Sequence, residues 1–364
     1  MHEGRLRVRV INAKNSKPIS NAKVIIKNHE AEGKIKYFAP MSREYSAVTN
    51  NLGYTKIFEL EIAAHEFQKN IDENRPFIVS DVWVKAYGFK DCIVSGVEIF
   101  PGIISIETCK LNPLNSKEGN IDVINILPNA VFERYPPKIP ELAEKINDEE
   151  FKKIYISSMT VMPSSLVVHD GMPEDNTASD YTIELKEYIK NVASSTMNPT
   201  WSENSLRAGV LSIMSFTLNR IYTQHYRKKG RNYDITSSTA YDQLFSYSRN
   251  VYLNISEIVN ELYPRYIVKS GHIAPLFIEC CDGIRNKYPG WFSYWVSNVL
   301  AQQGMSTKNI LKALIGEDIE IINFSKIYSE IETKAESRYR SFVPPMPPNI
   351  GKGIRPKVSY PDDV

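Results

Sequence analysis

The sequence has little net charge and no long apolar run, and both shortages narrow what the protein can do. Its 364 residues include 44 basic and 42 acidic side chains, a formal net charge of +2, so no bulk electrostatic attraction favours nucleic acid as a partner. No stretch approaches the roughly 18 consecutive apolar residues of a membrane span, and Met1–Arg5 lacks the apolar region of a secretory signal peptide. We therefore expect no nucleic-acid partner, no membrane span and synthesis in the cytoplasm.

Cysteine and histidine are also scarce, with four and six residues. Cys92 and Cys109 stand apart, Cys280 and Cys281 are neighbours, and no C-x-x-C spacing occurs, which is unlike a disulfide framework or a common zinc site. No two histidines have the i, i+4 spacing of a helical zinc site. We expect reduced, mostly buried thiols, and the pattern predicts no metal and no cofactor.

Alternating polar and apolar residues indicate short strands between residues 1 and 114. Arg5–Val10 has this period of two, which places alternate side chains on opposite faces of a sheet. Similar segments follow turn residues at Asn21–Ile26, Lys56–Leu60, Asp81–Ala86 and Ile103–Glu107. Short strands at this spacing predict an N-terminal all-β sandwich over residues 1–114.

Three motifs in this region resemble the carboxypeptidase-regulatory-like, or transthyretin-like, β-sandwich. Pro18–Val24 is similar to its P-I-x-N-A-x-V segment, and Thr49–Tyr54 to its turn before an apolar strand. Tyr87–Phe89 contains its aromatic-glycine pair. The resemblance implies a spacer or adhesion module rather than a catalytic domain.

The rest of the chain divides into a linker, a second domain and an arm. Prolines interrupt regular structure over residues 115–157, which we interpret as a linker with a short helix within Glu141–Lys153. A second, α+β domain is expected over residues 158–322. Residues 323–364 are expected to form a helix and a proline-rich C-terminal arm.

Two helices are expected near the start of the second domain. Tyr181–Ser194 can place its apolar residues on one face. Leu206–Tyr222 repeats apolar residues at helical spacing, which predicts a buried central helix. Thr200–Glu203 has the S/T-x-x-E form of a capping box, which would begin that helix.

The same region resembles the SpoIID/LytB-type (stage II sporulation protein D) lytic transglycosylases, which cleave peptidoglycan. Val192–Ala208 is similar to the family's V-x-x-E-M-P motif and the E-A-L-K-A-Q-A segment after it. Four further blocks match in order at Tyr233–Gln243, Ile273–Gly283, Ser293–Ser297 and Leu300–Leu311. The resemblance implies a multi-domain protein, with the N-terminal all-β sandwich followed by a C-terminal α+β SpoIID-like domain.

Three positions depart from that family. Thr196 stands where the family has its general acid, and threonine cannot protonate a glycosidic oxygen as a carboxyl group of raised pKa can. Tyr294 and Val296 replace the family's glutamine and glycine, and these bulkier side chains are expected to narrow the glycan groove. The departures together predict a catalytically degenerate protein, a pseudoenzyme.

Another carboxyl group could replace the missing acid. Glu203 is the nearest candidate, although a capping role explains it without catalysis. Glu184, Glu187, Glu279 and Asp282 are further candidates, and each is also explained as a solvated surface residue. The glycan-binding candidates are Trp201, Gln243, Asp282, Trp291, Ser293, Tyr294 and Trp295. The tryptophans among them could stack on sugar rings, and a place in the core also explains them.

Three functions remain open. The favoured one is a degenerate SpoIID-like protein that binds peptidoglycan glycan strands, or forms part of a spore-, envelope- or phage-tail-like assembly of sister subunits released by lysis. The second is an active lytic transglycosylase that uses another carboxylate. The third is a purely structural protein that forms homo-oligomers and binds no glycan.

Overall fold

Eight strands form the N-terminal part of the chain in the computed structural model. The structure describes residues 2–29, 44–62, 76–114, 120–139, 146–158, 162–281 and 290–325. The strands are β1 (His2–Asn12), β2 (Lys23–Asn28), β3 (Tyr45–Val48), β4 (Phe58–Ile62), β5 (Ile78–Lys85), β6 (Asp91–Ile99), β7 (Ile104–Leu111) and β8 (Ile121–Asn125). The five predicted strand segments overlap β1, β2, β4, β5 and β7.

These strands form two sheets that enclose an apolar core. One sheet has the order β3-β2-β5-β6-β8, and the other contains β7, β1 and β4 side by side. The pairs β1–β7 and β6–β8 are parallel. Inward side chains such as Leu6, Val8, Val24, Val82 and Val94 are fully buried, and removing this apolar surface from water stabilises the sandwich. The β-rich part of the fold prediction is therefore confirmed.

The second half of the chain adds helices and short strands. A 3₁₀ turn occupies Arg227–Lys229. The other elements are α1 (Asp148–Ser158), β9 (Ser165–His169), β10 (Asp180–Glu184), α2 (Leu185–Thr196), α3 (Glu203–Thr223), β11 (Ile235–Thr236), β12 (Val251–Tyr252), α4 (Leu253–Leu262), β13 (Arg265–Lys269), β14 (Cys280–Cys281), β15 (Phe292–Ser293), α5 (Tyr294–Gln302), α6 (Thr307–Ile315) and β16 (Ile319–Asn323).

Helix α3 is the centre of this half. It packs against α2, α4, α5 and α6, and its buried residues lie on every side of the helix, as expected of a helix surrounded by other elements. The prediction of a buried central helix is confirmed. The second half of the chain also contains three small sheets, with the strand orders β10-β9-β11, β13-β16 and β14-β15.

Two local predictions were wrong. Tyr181 and Ile183 belong to β10 and pair with β9, so the helix expected from Tyr181 begins only at Leu185. The predicted capping box is not formed, because Ser202 is the N-cap of α3 and no side-chain cap hydrogen bond is found at this described helix start. Glu203 instead accepts a hydrogen bond from Arg207 (Nε to Oε1, 2.8 Å).

The sandwich receives strands from beyond residue 114. Strand β8 lies in the stretch expected to be a linker, and β12 extends the second sheet by pairing Val251 with Ile106 and Tyr252 with Ser105. The described residues up to Phe324 belong to one compact unit. The predicted C-terminal arm lies outside the described residues after Ser325. Among the helices that are described, none combines the length and apolarity needed to cross a bilayer.

Candidate functional site

A cavity of about 380 Å³ lies where the end of α2 meets the start of α5. Four residues singled out from the sequence line it, Thr196, Gln243, Trp291 and Tyr294. Thr196 ends α2, and Tyr294 begins α5 directly after β15, which pairs with β14. The rest of the lining includes Ala130, Val131, Glu133, Arg134, Tyr135, Pro136, Pro137, Lys138, Thr239, Asp242, Leu244, Cys280 and Cys281.

The side chains of Thr196 and Tyr294 are in direct contact. The Thr196 hydroxyl donates a hydrogen bond to the Val192 carbonyl (2.7 Å). The hydroxyl of Tyr294, a residue only 7% exposed, interacts with the side chains of Thr196 and Cys280. Tyr294 therefore fills the space in front of the residue that stands where the resemblance places a general acid.

Burial keeps the phenol and the thiol of this cluster neutral. It raises the pKa of Tyr294 well above its ordinary value, with the neighbouring Cys280 adding to the effect. It also raises the pKa of Cys280 to about 12, although the hydrogen bond with Tyr294 and the charge of Lys138 act in the opposite direction. A thiol of such high pKa is a poor nucleophile at neutral pH.

Asp242 lines the cavity but is fully occupied with structural contacts. Its Oδ1 accepts from Arg220 Nε (2.7 Å), and its Oδ2 accepts from the Tyr226 hydroxyl (2.6 Å) and from the Thr236 N–H (2.9 Å) and hydroxyl (2.7 Å). Burial opposes ionisation, but Arg220 and these hydrogen bonds lower the pKa of Asp242 below its ordinary value. The carboxylate therefore stays charged and has no proton to donate near neutral pH.

Lys138 brings an amino group to the same cavity. Only 9% of the residue is exposed, its Nζ donates to the Asp242 carbonyl (2.8 Å), and it lies 4.7 Å from the centre of the Phe216 ring. Burial lowers its pKa, and nearby Cys280 and Asp242 partly oppose that change. The cavity thus combines neutral hydrogen-bonding groups, charged side chains and aromatic surface, a composition suited to binding a polar ligand.

Gln243 lines the cavity but directs its amide into the protein. Its Oε1 accepts from the Tyr188 hydroxyl (3.2 Å), and its Nε2 donates to the Ile213 carbonyl (3.4 Å). With 5% of the residue exposed, its role in this structure is to position the cavity wall beside α3.

Several other sequence candidates lie away from the cavity lining. The Trp201 and Trp295 rings pack edge to face with centres 5.0 Å apart. Ser293 caps α5 by accepting a hydrogen bond from the Val296 N–H (3.2 Å). Glu203 is exposed and paired with Arg207, as described above.

The remaining acid candidates are also absent from the lining of the 380 Å³ cavity that contains Thr196, the Thr196 cavity. Glu184 and Glu187 line a different groove. Glu279 is buried next to β14, and Asp282 lies outside the described residues. Val296 was expected to narrow the glycan groove together with Tyr294, but only Tyr294 belongs to the cavity lining.

Sequence reasoning missed one wall of the cavity. Residues 130–138, in the stretch interpreted as a linker, supply that wall, and Lys138 reaches its interior. The pair Pro136 and Pro137 was the available signal, because consecutive prolines make a stiff, extended segment. The described residues contain no group of three or more His, Cys, Asp or Glu side chains arranged to hold a metal ion.

No protein-family model and no curated protein matches this sequence. Among solved structures, the chain is similar to the 3-chlorocatechol 1,2-dioxygenase of Rhodococcus opacus 1CP, with 9% identity over 31% of this chain and 60% of that chain, and a TM-score of 0.21. It is similar to the catechol 1,2-dioxygenase of Acinetobacter radioresistens with 10% identity, over 33% of this chain and 54% of that one, with a TM-score of 0.21.

A third similar structure is an intradiol ring-cleavage dioxygenase from Tetranychus urticae, with 13% identity over 33% of this chain and 85% of that chain, and a TM-score of 0.20. The chain spans less than two thirds of the length of the first two structures. At these TM-scores the likenesses carry no argument about the activity of this protein.

Proposed function

We propose that this chain binds a peptidoglycan-type glycan strand in the Thr196 cavity and does not cleave it. The observation that carries the proposal is the contact between Thr196 and Tyr294. In the family that the sequence resembles, these two positions hold the general acid and a glutamine. Here a hydroxyl and a phenol lie next to each other, and neither supplies a proton to a glycosidic oxygen near neutral pH.

The cavity retains groups that suit a sugar. Trp291 and Tyr135 supply aromatic surface, and Thr239 and Lys138 supply polar groups. Aromatic rings combine apolar area with polar edges that match a sugar face. The loss of an acid therefore leaves the binding function intact in this proposal.

The test is incubation of the purified protein with peptidoglycan sacculi, followed by sedimentation and by mass spectrometry for 1,6-anhydro products. We expect co-sedimentation without anhydro products. Trp291→Ala should weaken co-sedimentation by about tenfold, because lost ring contact is worth on the order of 1 kcal/mol or more. Trp295→Ala is the matched control, since Trp295 packs against Trp201 outside the lining.

One carboxyl group in the lining provides the decisive check for catalysis. Glu133 is half-buried there and accepts a hydrogen bond from the Arg134 N–H (3.1 Å). Anhydro products that disappear in Glu133→Gln would support an active lytic transglycosylase and end the non-catalytic proposal. If the protein neither forms anhydro products nor co-sediments with sacculi, the glycan-binding proposal is wrong.

Assembly with sister subunits is a second candidate function, favoured by the edge strand β8. Ile121 and Val123 on this strand are 54% and 60% exposed, and β6 is its neighbour in the described sheet. An apolar edge strand is a ready site for pairing with another chain. Analytical ultracentrifugation should show concentration-dependent association that Val123→Lys removes, and a monomer at all concentrations would rule this candidate out.

A further inference from the structure

Four chain segments meet at one end of the sandwich, where β1, β3, β5 and β7 end. We call this surface the loop end, and its segments are residues 12–23, 47–57, 84–90 and 108–114. Backbone hydrogen bonds of 2.9 Å join neighbouring segments, from the N–H of Asn21 to the carbonyl of Thr49, from Ala13 to Leu111 and from Lys90 to Asn112. None of these residues lines the Thr196 cavity, so the loop end is a separate surface of the molecule.

The loop end carries charge of one sign. Its four segments contain seven lysines and no aspartate or glutamate, in a chain whose formal net charge is only +2. Lys85 and Lys90 pair with flanking acids, Asp91 (2.6 Å) and Asp122 (3.6 Å). The other five are exposed and form no ion pair within the part of the chain that the structure describes, and they are Lys14, Lys17, Lys23, Lys56 and Lys110. Such a concentration of positive charge attracts an anionic partner.

Large apolar side chains extend into solvent from the same segments. Among the described residues, eleven large apolar side chains are exposed, and four of them belong to the loop end. Tyr87, between β5 and β6, is fully exposed, and Leu52, in the turn after β3, is 68% exposed. Val48 and Leu114 are 61% and 51% exposed. Single exposed apolar residues are common, but a group of them at one end of a domain is typical of an interaction surface.

The combination of the two features favours one kind of anionic partner. A dissolved polyanion is held mainly by its charge, which leaves the aliphatic side chains of Leu52 and Val48 without a role. A bilayer with anionic headgroups offers negative charge at its surface and apolar material directly beneath it. The ring of Tyr87 suits the boundary between the two, where tyrosine is enriched in membrane proteins.

We propose that the loop end docks on the surface of a lipid bilayer that carries anionic headgroups. The five unpaired lysines face the headgroups, and Tyr87 and Leu52 enter the boundary between the headgroups and the acyl chains. The contact is peripheral, with the sandwich resting on the surface. It uses no residue of the Thr196 cavity and is independent of the proposed glycan binding.

The test is co-sedimentation of the full-length protein with two kinds of vesicle. One kind contains equal parts of phosphatidylcholine and phosphatidylserine, and the other contains phosphatidylcholine alone. We expect binding to the anionic vesicles and at least about tenfold weaker binding to the neutral ones, because each lysine near an anionic surface contributes about fivefold. Equal binding to the two kinds, or no binding to the anionic vesicles, would overturn the proposal.

The apolar contribution is tested by a double variant, Tyr87→Ser with Leu52→Ser. Both side chains are exposed, so their loss should leave the fold intact while it weakens binding to the anionic vesicles by about tenfold or more. Met172→Ser is the matched control, since Met172 is 58% exposed and lies outside the loop end. Unchanged binding of the double variant would mean that charge alone holds the protein, as it would a dissolved polyanion, and would overturn the proposal.

The charge contribution is tested by Lys14→Gln with Lys17→Gln. Removing these two lysines should weaken binding to the anionic vesicles by about tenfold or more. Lys308→Gln, at an exposed position of α6, is the control and should have no effect. Trp291→Ala should also leave vesicle binding unchanged, which separates the loop end from the glycan cavity. A protein that binds the anionic vesicles equally well without Lys14 and Lys17 would contradict docking through the loop end.

Discussion

Arg249 and Glu98, which are 151 residues apart in sequence, form an ion pair with side chains that are 0% and 3% exposed (Nη2 to Oε2, 2.5 Å). Glu98 lies in β6 of the sandwich, and Arg249 precedes β12. The Asn129 N–H (2.9 Å) and the Tyr252 hydroxyl (3.3 Å) also donate to the Glu98 carboxylate. This network joins residues from the sandwich, the following connector and the helical half.

Glu98→Gln is expected to destabilise the protein strongly. The substitution leaves the Arg249 charge buried without its counter-charge, and breaking a buried pair in this way costs about 3–5 kcal/mol. Urea denaturation should show that loss. Glu187→Gln, which breaks the partly exposed pair with Lys190, is the control and should change the free energy of unfolding by less than about 1 kcal/mol. Equal effects of the two substitutions would contradict this account of the network.

Glu107 should make stability depend on pH. It is 0% exposed, and its carboxyl oxygens have no hydrogen-bond partner of normal geometry. Burial raises the pKa of Glu107 from 4.5 to about 8, against the opposing charge of Arg249. The unfolded chain therefore loses this proton near pH 4.5 and the folded chain near pH 8. Stability from this group is complete below pH 4.5 and is lost as pH rises to about 8.

Glu107→Gln removes that titration. The free energy of unfolding of the variant minus that of the unchanged protein should be larger at pH 8.5 than at pH 5, by an amount on the order of a few kcal/mol. Denaturation at both pH values measures the difference. Glu59→Gln, at an exposed position of β4, should leave the pH dependence unchanged. Parallel stability curves for Glu107→Gln and the unchanged protein would show that the group does not titrate between these pH values.

The sequence predicted the parts of this fold that have a local signal. Strand β1 follows from alternation and α3 from apolar spacing. Strand β12 could not be predicted, because two residues show no periodicity and its partner β7 is far away in sequence. Thr196 and Tyr294 were found through the motifs that carry the family resemblance, and Trp291 was found as an aromatic residue that could stack on a sugar ring. Lys138 was missed because it lies in a proline-containing segment without a regular pattern, and only the fold brings it to Thr196.

Gly209 is required for the packing between α3 and the end of α2. A Cβ at this position would lie 2.2 Å from the Met197 Sδ and 3.6 Å from a ring carbon of Tyr294. Alanine usually stabilises a helix relative to glycine by about 0.5–1 kcal/mol, but overpacking a core costs about 1–3 kcal/mol. Gly209→Ala should therefore destabilise the protein by about 1–2 kcal/mol.

A double-mutant cycle identifies the cause of that loss. Met197→Ala removes the side chain that a Cβ at Gly209 would meet, so the double variant should be more stable than the sum of the two single changes predicts, by more than about 0.5 kcal/mol. Thermal denaturation of the three variants provides the measurement. Additive effects would mean that Met197 moves aside without cost.

Introducing a carboxyl group at position 196 should destabilise the protein while Tyr294 is present. Thr196 is 6% exposed, and glutamate is longer than threonine, so the new side chain would meet the Tyr294 ring and carry a carboxyl group into a buried site. We expect Thr196→Glu alone to cost about 2–4 kcal/mol of stability, through overpacking and desolvation.

Tyr294→Gln introduces the residue that the family resemblance places at position 294. It opens that space, and the double variant should recover at least half of the lost stability. Burial would also raise the pKa of the new carboxyl group, as a general acid requires, so the double variant is the one in which anhydro products should first be detected with sacculi. Products from Thr196→Glu alone, or a double variant less stable than the single one, would show that Tyr294 does not occupy the space that a carboxyl group at position 196 needs.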